Sequence, residues 1–331
     1  MVVGFEKRDL KGHGGNPPDP KWPNSARIAV SFVLNYEEGG ENTPYNTGDL
    51  RSEVFLNETP GGTARLERDL NMESVYEYGS RCGFWRILRL FEKYKAKFTC
   101  YAVGKAIELN PGVVDAMQDR GHEVASHSHR WIDYAGLEEA EERRHIETCL
   151  DVITKASSKG TSSARLYKGR SGTKRVVHGS TFSQFASSGV VSSLQARLNT
   201  RETYKSRGLD HLLYDCDAYN DDLPYWVDMP EENGLLVIPY TLDVNDMKFA
   251  VPPGFTDPDS FFKYARNAFD VLRAEGGKMM SIGLHCRLIG RPGRLPALEK
   301  LLEYIGQFDD VWICTRGEIA EHWKSHFPYK S

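Results

Sequence analysis

A chain of 331 residues and 37.4 kDa is long enough for one α/β barrel or for two unequal domains. Its 40% hydrophobic, 11% aromatic and 27% charged residues exclude collagen-like, coiled-coil and wholly disordered chains. With 42 Lys and Arg against 46 Asp and Glu, the net charge of −4 provides no basic field for nucleic acid or an anionic membrane, and a small, weakly charged substrate fits better.

The opening MVVGFEKRDL brings in charge at Glu6 before any apolar run of secretory length, and Ile28 to Leu34 falls far short of the roughly 20 residues that span a bilayer. A cytoplasmic location is expected. Cys82, Cys100, Cys149, Cys216, Cys286 and Cys314 form no CxxC pair, so they read as buried small hydrophobes rather than a zinc or disulfide framework.

Residues 1–25, broken by Gly14-Gly15, Pro17-Pro18, Pro20 and Pro23, read as a surface arm without regular elements. Ala26 to Asn35 is a continuous β-branched and apolar run, the pattern of a strand buried on both faces. Gly79 to Tyr94 spaces Phe84, Ile87, Leu88 and Phe91 as a helix, and Lys97 to Val103 reads as the next strand. Pro111 to Arg120 opens as a helix on its proline, a short strand covers Gly121 to Ser126, and a long helix covers Gly136 to Ala156. Later strands are expected at Leu212 to Ala218, Leu235 to Thr241, Lys278 to His285 and Val311 to Thr315. Helices are expected at Asp257 to Gly276, Leu295 to Gly306 and Arg316 to Lys324. This alternation predicts a parallel sheet, most economically a single (β/α) barrel over residues 26–331, with a doubly wound open sheet as the other option. Residues 152–201 break the pattern: they contain no Asp or Glu, nine Lys or Arg and four Ser-Ser pairs. That segment reads as loop-like, with Lys159, Arg165, Lys168, Arg170, Lys174 and Arg175 as its exposed cleavage sites.

Catalytic side chains of a barrel project from the carboxyl ends of its strands. There the sequence places Glu37 and Glu38, then His127 and His129, then Asp217, Tyr219, Asp221, Asp222, Tyr225 and Trp226, and finally His285 followed by Arg287, Arg291 and Arg294. Each is ordinary alone: an acid pair before Gly39-Gly40 is a solvated loop, and a histidine in an apolar strand is a hydrogen-bonded core residue. Together, paired acids and two histidines at one rim are the equipment for activating water and protonating a leaving nitrogen.

Four blocks, SFVLNYEEGGE (31–41), ASH with RWIDY (125–127, 130–134), DAYNDDLPYW (217–226) and MMSIGLHCRLIGRPGR (279–294), resemble the polysaccharide-deacetylase superfamily, and within it the metal-independent allantoinase-like branch, whose fungal members include proteins labelled chitin deacetylase. The resemblance covers nearly all of the chain except 152–201, where RLYKGR (165–170) stands in place of the family's Gly-Trp-Tyr-x-Gly-Arg stretch. It implies the distorted (β/α) barrel of that superfamily. It also implies catalytic roles for Glu37, His127 and His285, and substrate contacts from Glu38, Trp131, Asp217, Tyr219, Asp222, Trp226, Arg287 and Arg291. Glu37 matches the water-activating acid, Glu38 and His127 match metal ligands of true deacetylases, Trp131 replaces the remaining histidine ligand, and His285 matches the general acid. With two ligands in place of the usual three, zinc is disfavoured and no cofactor is expected. The expected activity is hydrolysis of a non-peptide carbon–nitrogen bond in a small amide or ureide, foremost allantoin to allantoate in purine catabolism. Deacetylation of an N-acetylglucosamine polymer and an inactive homologue are the alternatives. No nucleic-acid or membrane partner is expected, and self-association stays open.

Overall fold

The computed structural model of the chain describes residues 9–46, 48–54, 58, 63–134, 137–157, 177–178, 190–209, 214–229, 232–251 and 254–330. Its first half runs β1 (Ile28–Tyr36), α1 (Leu70–Tyr78), α2 (Phe84–Lys93), β2 (Phe98–Ala102), α3 (Gly104–Leu109), α4 (Gly112–Gln118), β3 (Glu123–Ser126) and α5 (Glu139–Ala156). Then follow β4 (Val177–His178), α6 (Val190–Ser206), β5 (Tyr225–Met229), β6 (Glu232–Val237), α7 (Pro258–Glu275), β7 (Lys278–His285), α8 (Leu295–Ile305), β8 (Val311–Ile313) and α9 (Arg316–His326).

The strands β4-β3-β2-β1-β7 form one parallel sheet, and β8 pairs with the Ile28–Val30 stretch of β1 that β2 leaves free. Beyond β7 the wall continues through single bridges, Asn245 to Gly283 and Asp215 to Val237. This is the expected distorted (β/α) barrel. Every residue of β1 is buried because its two faces meet different cores. Ile28, Val30, Phe32, Leu34 and Tyr36 pack outward on Phe84, Ile87 and Phe91, while Ala29 and Val33 face Tyr101, Tyr214 and Leu236 inside. The two-residue period of a strand therefore sends Glu37 inward and Glu38 outward at the end of β1.

Several expectations are corrected. The helix expected from Gly79 begins at Leu70, capped by Asp69 accepting from Met72 N, and passes through a π-turn at Gly79–Gly83 into α2. α3 was not expected. The expected strand at 212–218 is reduced to the Asp215 bridge within the described residues, and Tyr225–Met229, for which no element was predicted, pairs antiparallel with β6. Within 152–201, β4 pairs with β3 and α6 packs on α5, where Tyr204 joins Ile146 and Leu150 and Asn199 Nδ2 donates to Glu142 Oε2 at 2.5 Å. Tertiary packing against α5 supplies the helix that the Ser-rich composition hid. The six expected cleavage sites lie outside the described residues. The arm is anchored by Trp22, which packs on Trp312 and Trp323 and donates from Nε1 to Lys278 O at 2.9 Å. Of the cysteines, Cys82 alone is exposed, and all six are free. No helix among the described residues is long and apolar enough to cross a membrane.

Candidate active site

Parallel register brings the carboxyl ends of three strands together. Asn35 of β1 pairs with His285 of β7, Tyr36 pairs with Ala102 of β2, and His127 N donates to Ala102 O at 2.9 Å. Glu37, one residue past β1, thus lies between His127 and His285, with Oε1 3.5 Å from His127 Nε2 and 3.6 Å from His285 Nε2. The other carboxylate oxygen accepts from Arg287 Nη1 at 2.7 Å. All three predicted catalytic residues therefore meet at one carboxylate. Burial alone would raise the Glu37 pKa, but the Arg287 charge, assisted by His285 and His127, outweighs it and holds the group at about 2.

His285 is fixed from behind by a residue that sequence reasoning passed over. Asp246 Oδ1 accepts from His285 Nδ1 at 2.7 Å, and Oδ2 accepts the backbone N–H of His285 and Ile289 at 2.8 and 3.0 Å. With Nδ1 donating to Asp246, Nε2 is left facing Glu37 Oε1 at 3.6 Å. Asp246 opens a 3₁₀ turn 39 residues before His285, and no spacing links the two. The one legible hint is an Asp just after an apolar strand-like segment.

Ser128 sets the direction of His127. It holds a φ of 62°, a left-handed conformation unusual for a residue with a side chain, and its Oγ lies 2.5 Å from Tyr134 OH. The chain reverses there, and His129 turns away to reach Glu108 with Nε2 at 3.2 Å.

The remaining predicted contacts separate. Arg287 is in the cluster but fully buried behind Glu37, its guanidinium 4.2 Å from the Tyr76 ring centre and 5.0 Å from that of Trp131. Its Nη1 serves Glu37, while Nε and Nη2 are buried without a hydrogen-bond partner among the described residues. Trp131 forms the cover over that guanidinium. Glu38 is turned out of the cluster by the strand period: its Oε2 accepts from Glu37 N at 3.0 Å, and its Oε1 is buried against Gly79 of the π-turn without a hydrogen-bond partner among the described residues. Burial, with Glu37 adding to it and Arg287 opposing, raises the Glu38 pKa to about 7. Arg291 stacks 3.7 Å over Tyr78 on α1, away from Glu37. The DAYNDDLPYW block divides. Tyr219 is half exposed at 6.5 Å from Tyr240 inside the barrel, and Asp217 N caps onto Asp215 Oδ1 at 2.7 Å. The main-chain carbonyl of Asp222, however, accepts from Met279 N at the opposite end of β7, about 20 Å of strand from His285. Trp226 Nε1 donates to Phe327 O beyond α9. Hydrophobic sequence neighbours could not reveal that this block runs down the barrel wall instead of along its rim.

The metal that true deacetylases use does not fit these residues. Glu37 and Glu38 leave opposite faces of the strand, Trp131 offers no ligand atom on the Glu37 side, and the positive charge among Glu37, Glu38 and Glu41 is already supplied by Arg287.

The model describing polysaccharide deacetylases matches residues 71–178. A Schizosaccharomyces pombe protein named for the polysaccharide deacetylases is 47% identical over 99% of this chain and 100% of its own. The chain belongs to the polysaccharide deacetylase family. Among solved structures, this family member superposes on PuuE allantoinase with a TM-score of 0.83 and 45% identity, covering 98% of the chain and 99% of that structure. A Pseudomonas aeruginosa PAO1 protein assigned to the polysaccharide deacetylases gives 0.82 and 43%, covering 98% and 100%. A Mycobacterium smegmatis structure at 19% identity, with a TM-score of 0.68, shares the fold. Hydrolysis of non-peptide carbon–nitrogen bonds is the reaction class of such deacetylases and allantoinases.

Proposed function

We propose that this deacetylase-family chain opens a cyclic ureide, allantoin to allantoate, without a metal. The observation that carries the reading is the buried acid–base set: an ionised Glu37 3.6 Å from the Nε2 of a His285 that Asp246 holds in register. Water held beside Glu37 Oε1 and His127 Nε2, within reach of both, loses a proton to Glu37 as its oxygen attacks the ring carbonyl carbon. His285 Nε2 then gives its proton to the ring nitrogen as the carbon–nitrogen bond breaks. The likeness to PuuE allantoinase over nearly the whole chain supports the same substrate class, and a cytoplasmic setting suits a small soluble ureide. The second reading, removal of acetyl groups from an N-acetylglucosamine polymer, is favoured by the names of the Schizosaccharomyces pombe and Pseudomonas aeruginosa relatives.

The deciding experiment assays the purified chain for allantoate formed from allantoin and, in parallel, for acetate released from N-acetylglucosamine oligomers. Allantoate formation that survives a chelator, and that falls at least about a hundredfold in kcat for both Glu37→Gln and His285→Ala, is the expected result. Acetate release alone would select the second reading, activity restored only by Zn²⁺ would overturn the metal-free mechanism, and neither product would mark an inactive homologue.

A further inference from the structure

On the outer side of the rim, away from Glu37, a cavity of about 350 Å³ opens between the loop after β1, the start of α3, the His129–Ile132 turn and the first two turns of α5. Three cations, Lys105, Arg130 and Arg144, line it with two carboxylates, Asp49 and Glu141, and the His129 ring. None of these groups takes part in the chemistry proposed above. Its volume suits a small molecule rather than a polymer.

The lining is built around Arg130. Its side chain is only 10% exposed, yet it is positioned by main-chain and side-chain acceptors: Nε donates to Gly40 O at 3.1 Å, and Nη2 donates to Glu41 O at 3.0 Å and to Asp49 Oδ2 at 2.5 Å. These bonds engage Nε and Nη2 and make no use of Nη1. A guanidinium held on one side by three acceptors, with a further amino group open beside the cavity, is preorganised for an oxygen acceptor arriving there. Lys105 and Arg144, by contrast, are more exposed. They hold Glu108 and Glu141 through flexible side chains that can turn to a ligand.

We propose that this cavity is a binding site for a small oxyanion, a carboxylate or phosphate group, received on Arg130 Nη1 and enclosed by Lys105 and Arg144. Planar guanidinium donors match the oxygen spacing of either group, so the chemistry shared by carboxylate and phosphate defines the ligand. The site lies behind the catalytic turn: the same Arg130 that receives the anion holds Gly40 and Glu41, and Trp131 N donates to Gly40 O at 2.9 Å. It is therefore distinct from the Glu37 cluster.

The test is calorimetric titration of the full chain with inorganic phosphate and, separately, with acetate, without any substrate, so that its outcome does not depend on which carbon–nitrogen bond the enzyme cuts. Saturable binding of at least one probe is expected, and the better-bound probe identifies the source of the oxyanion. The Lys105→Gln/Arg144→Gln double variant, which leaves Arg130 and the catalytic residues in place, should weaken binding at least about tenfold. Asp49→Asn, which frees Arg130 Nη2 from its competing carboxylate, should tighten it. Circular dichroism of each variant checks that the fold is retained. Absence of saturable binding for both probes, or a double variant that binds within about twofold of the parent, would overturn the site.

Discussion

Arg287 shows how one buried side chain sets the chemistry of its neighbour. Glu37 is buried, and burial penalises its charged form; the guanidinium 2.7 Å away reverses the balance and keeps it ionised down to about 2. Replacing Arg287 by Gln keeps a hydrogen-bond donor but removes the charge, leaving burial to dominate, so the Glu37 pKa should rise. The acid limb of the kcat–pH profile is expected to move upward by at least about two units, because Glu37 must be ionised to accept a proton. A limb that stays in place, measured on a variant with normal circular dichroism, would show that Arg287 only packs. Asp246 acts one residue further out, and Asp246→Asn should lower kcat with little change in KM, since it alters the tautomer and aim of His285 and not the binding of substrate.

At the scale of elements, the π-turn joining α1 to α2 is the piece that fits the helix to the rim. It gathers Gly79 under Glu38 and Gly83 under the Cys286 carbonyl, so that the loop after His285 can lie directly on the helix. A Cβ at Gly83 would strike main-chain carbonyl oxygen, which cannot swing aside. Gly83→Ala is expected to destabilise the fold by about 1–3 kcal/mol in urea unfolding. Gly112 at the start of α4 has nothing among the described residues within 4 Å of the corresponding position, so Gly112→Ala should be neutral or slightly stabilising. Equal losses for both would remove the steric explanation.

For the molecule as a whole, the rim carries opposed titrations. Glu37, with its pKa depressed from 4.5 to about 2, contributes stability above its ordinary pKa that is lost as pH falls toward 2. Glu38 and Glu41 are raised, chiefly by burial, to about 7 and about 8, so their contribution is complete below 4.5 and is lost as pH rises through those values. The unfolding free energy should therefore fall between about pH 4.5 and pH 8, by an amount of order a few kcal/mol, and the urea midpoint should fall with it. Glu41→Gln, which keeps an acceptor for Gly39 N without an ionisable group, should flatten that fall, and an unchanged profile would place the alkaline loss elsewhere.

The amino-acid sequence by itself determined the elements whose signal is local. β1 and β7 are apolar runs closed by polar residues, α7 and α8 carry their apolar face at three and four spacing, and Glu37, His127 and His285 stand at strand ends where the barrel must expose them. Glu38, expected beside Glu37 at the rim, is turned to the other face by the strand period and packs against Gly79. Tertiary structure decided the rest because the interactions are not local. Asp246 meets His285 across 39 residues of sequence, Arg287 reaches back to Glu37 across 250, and the DAYNDDLPYW block is drawn down the wall by pairing with β6 and the C-terminal tail. α6 forms on the surface of α5 despite a composition that resembles a linker, since a helix of weak intrinsic pattern is stabilised by the face it buries.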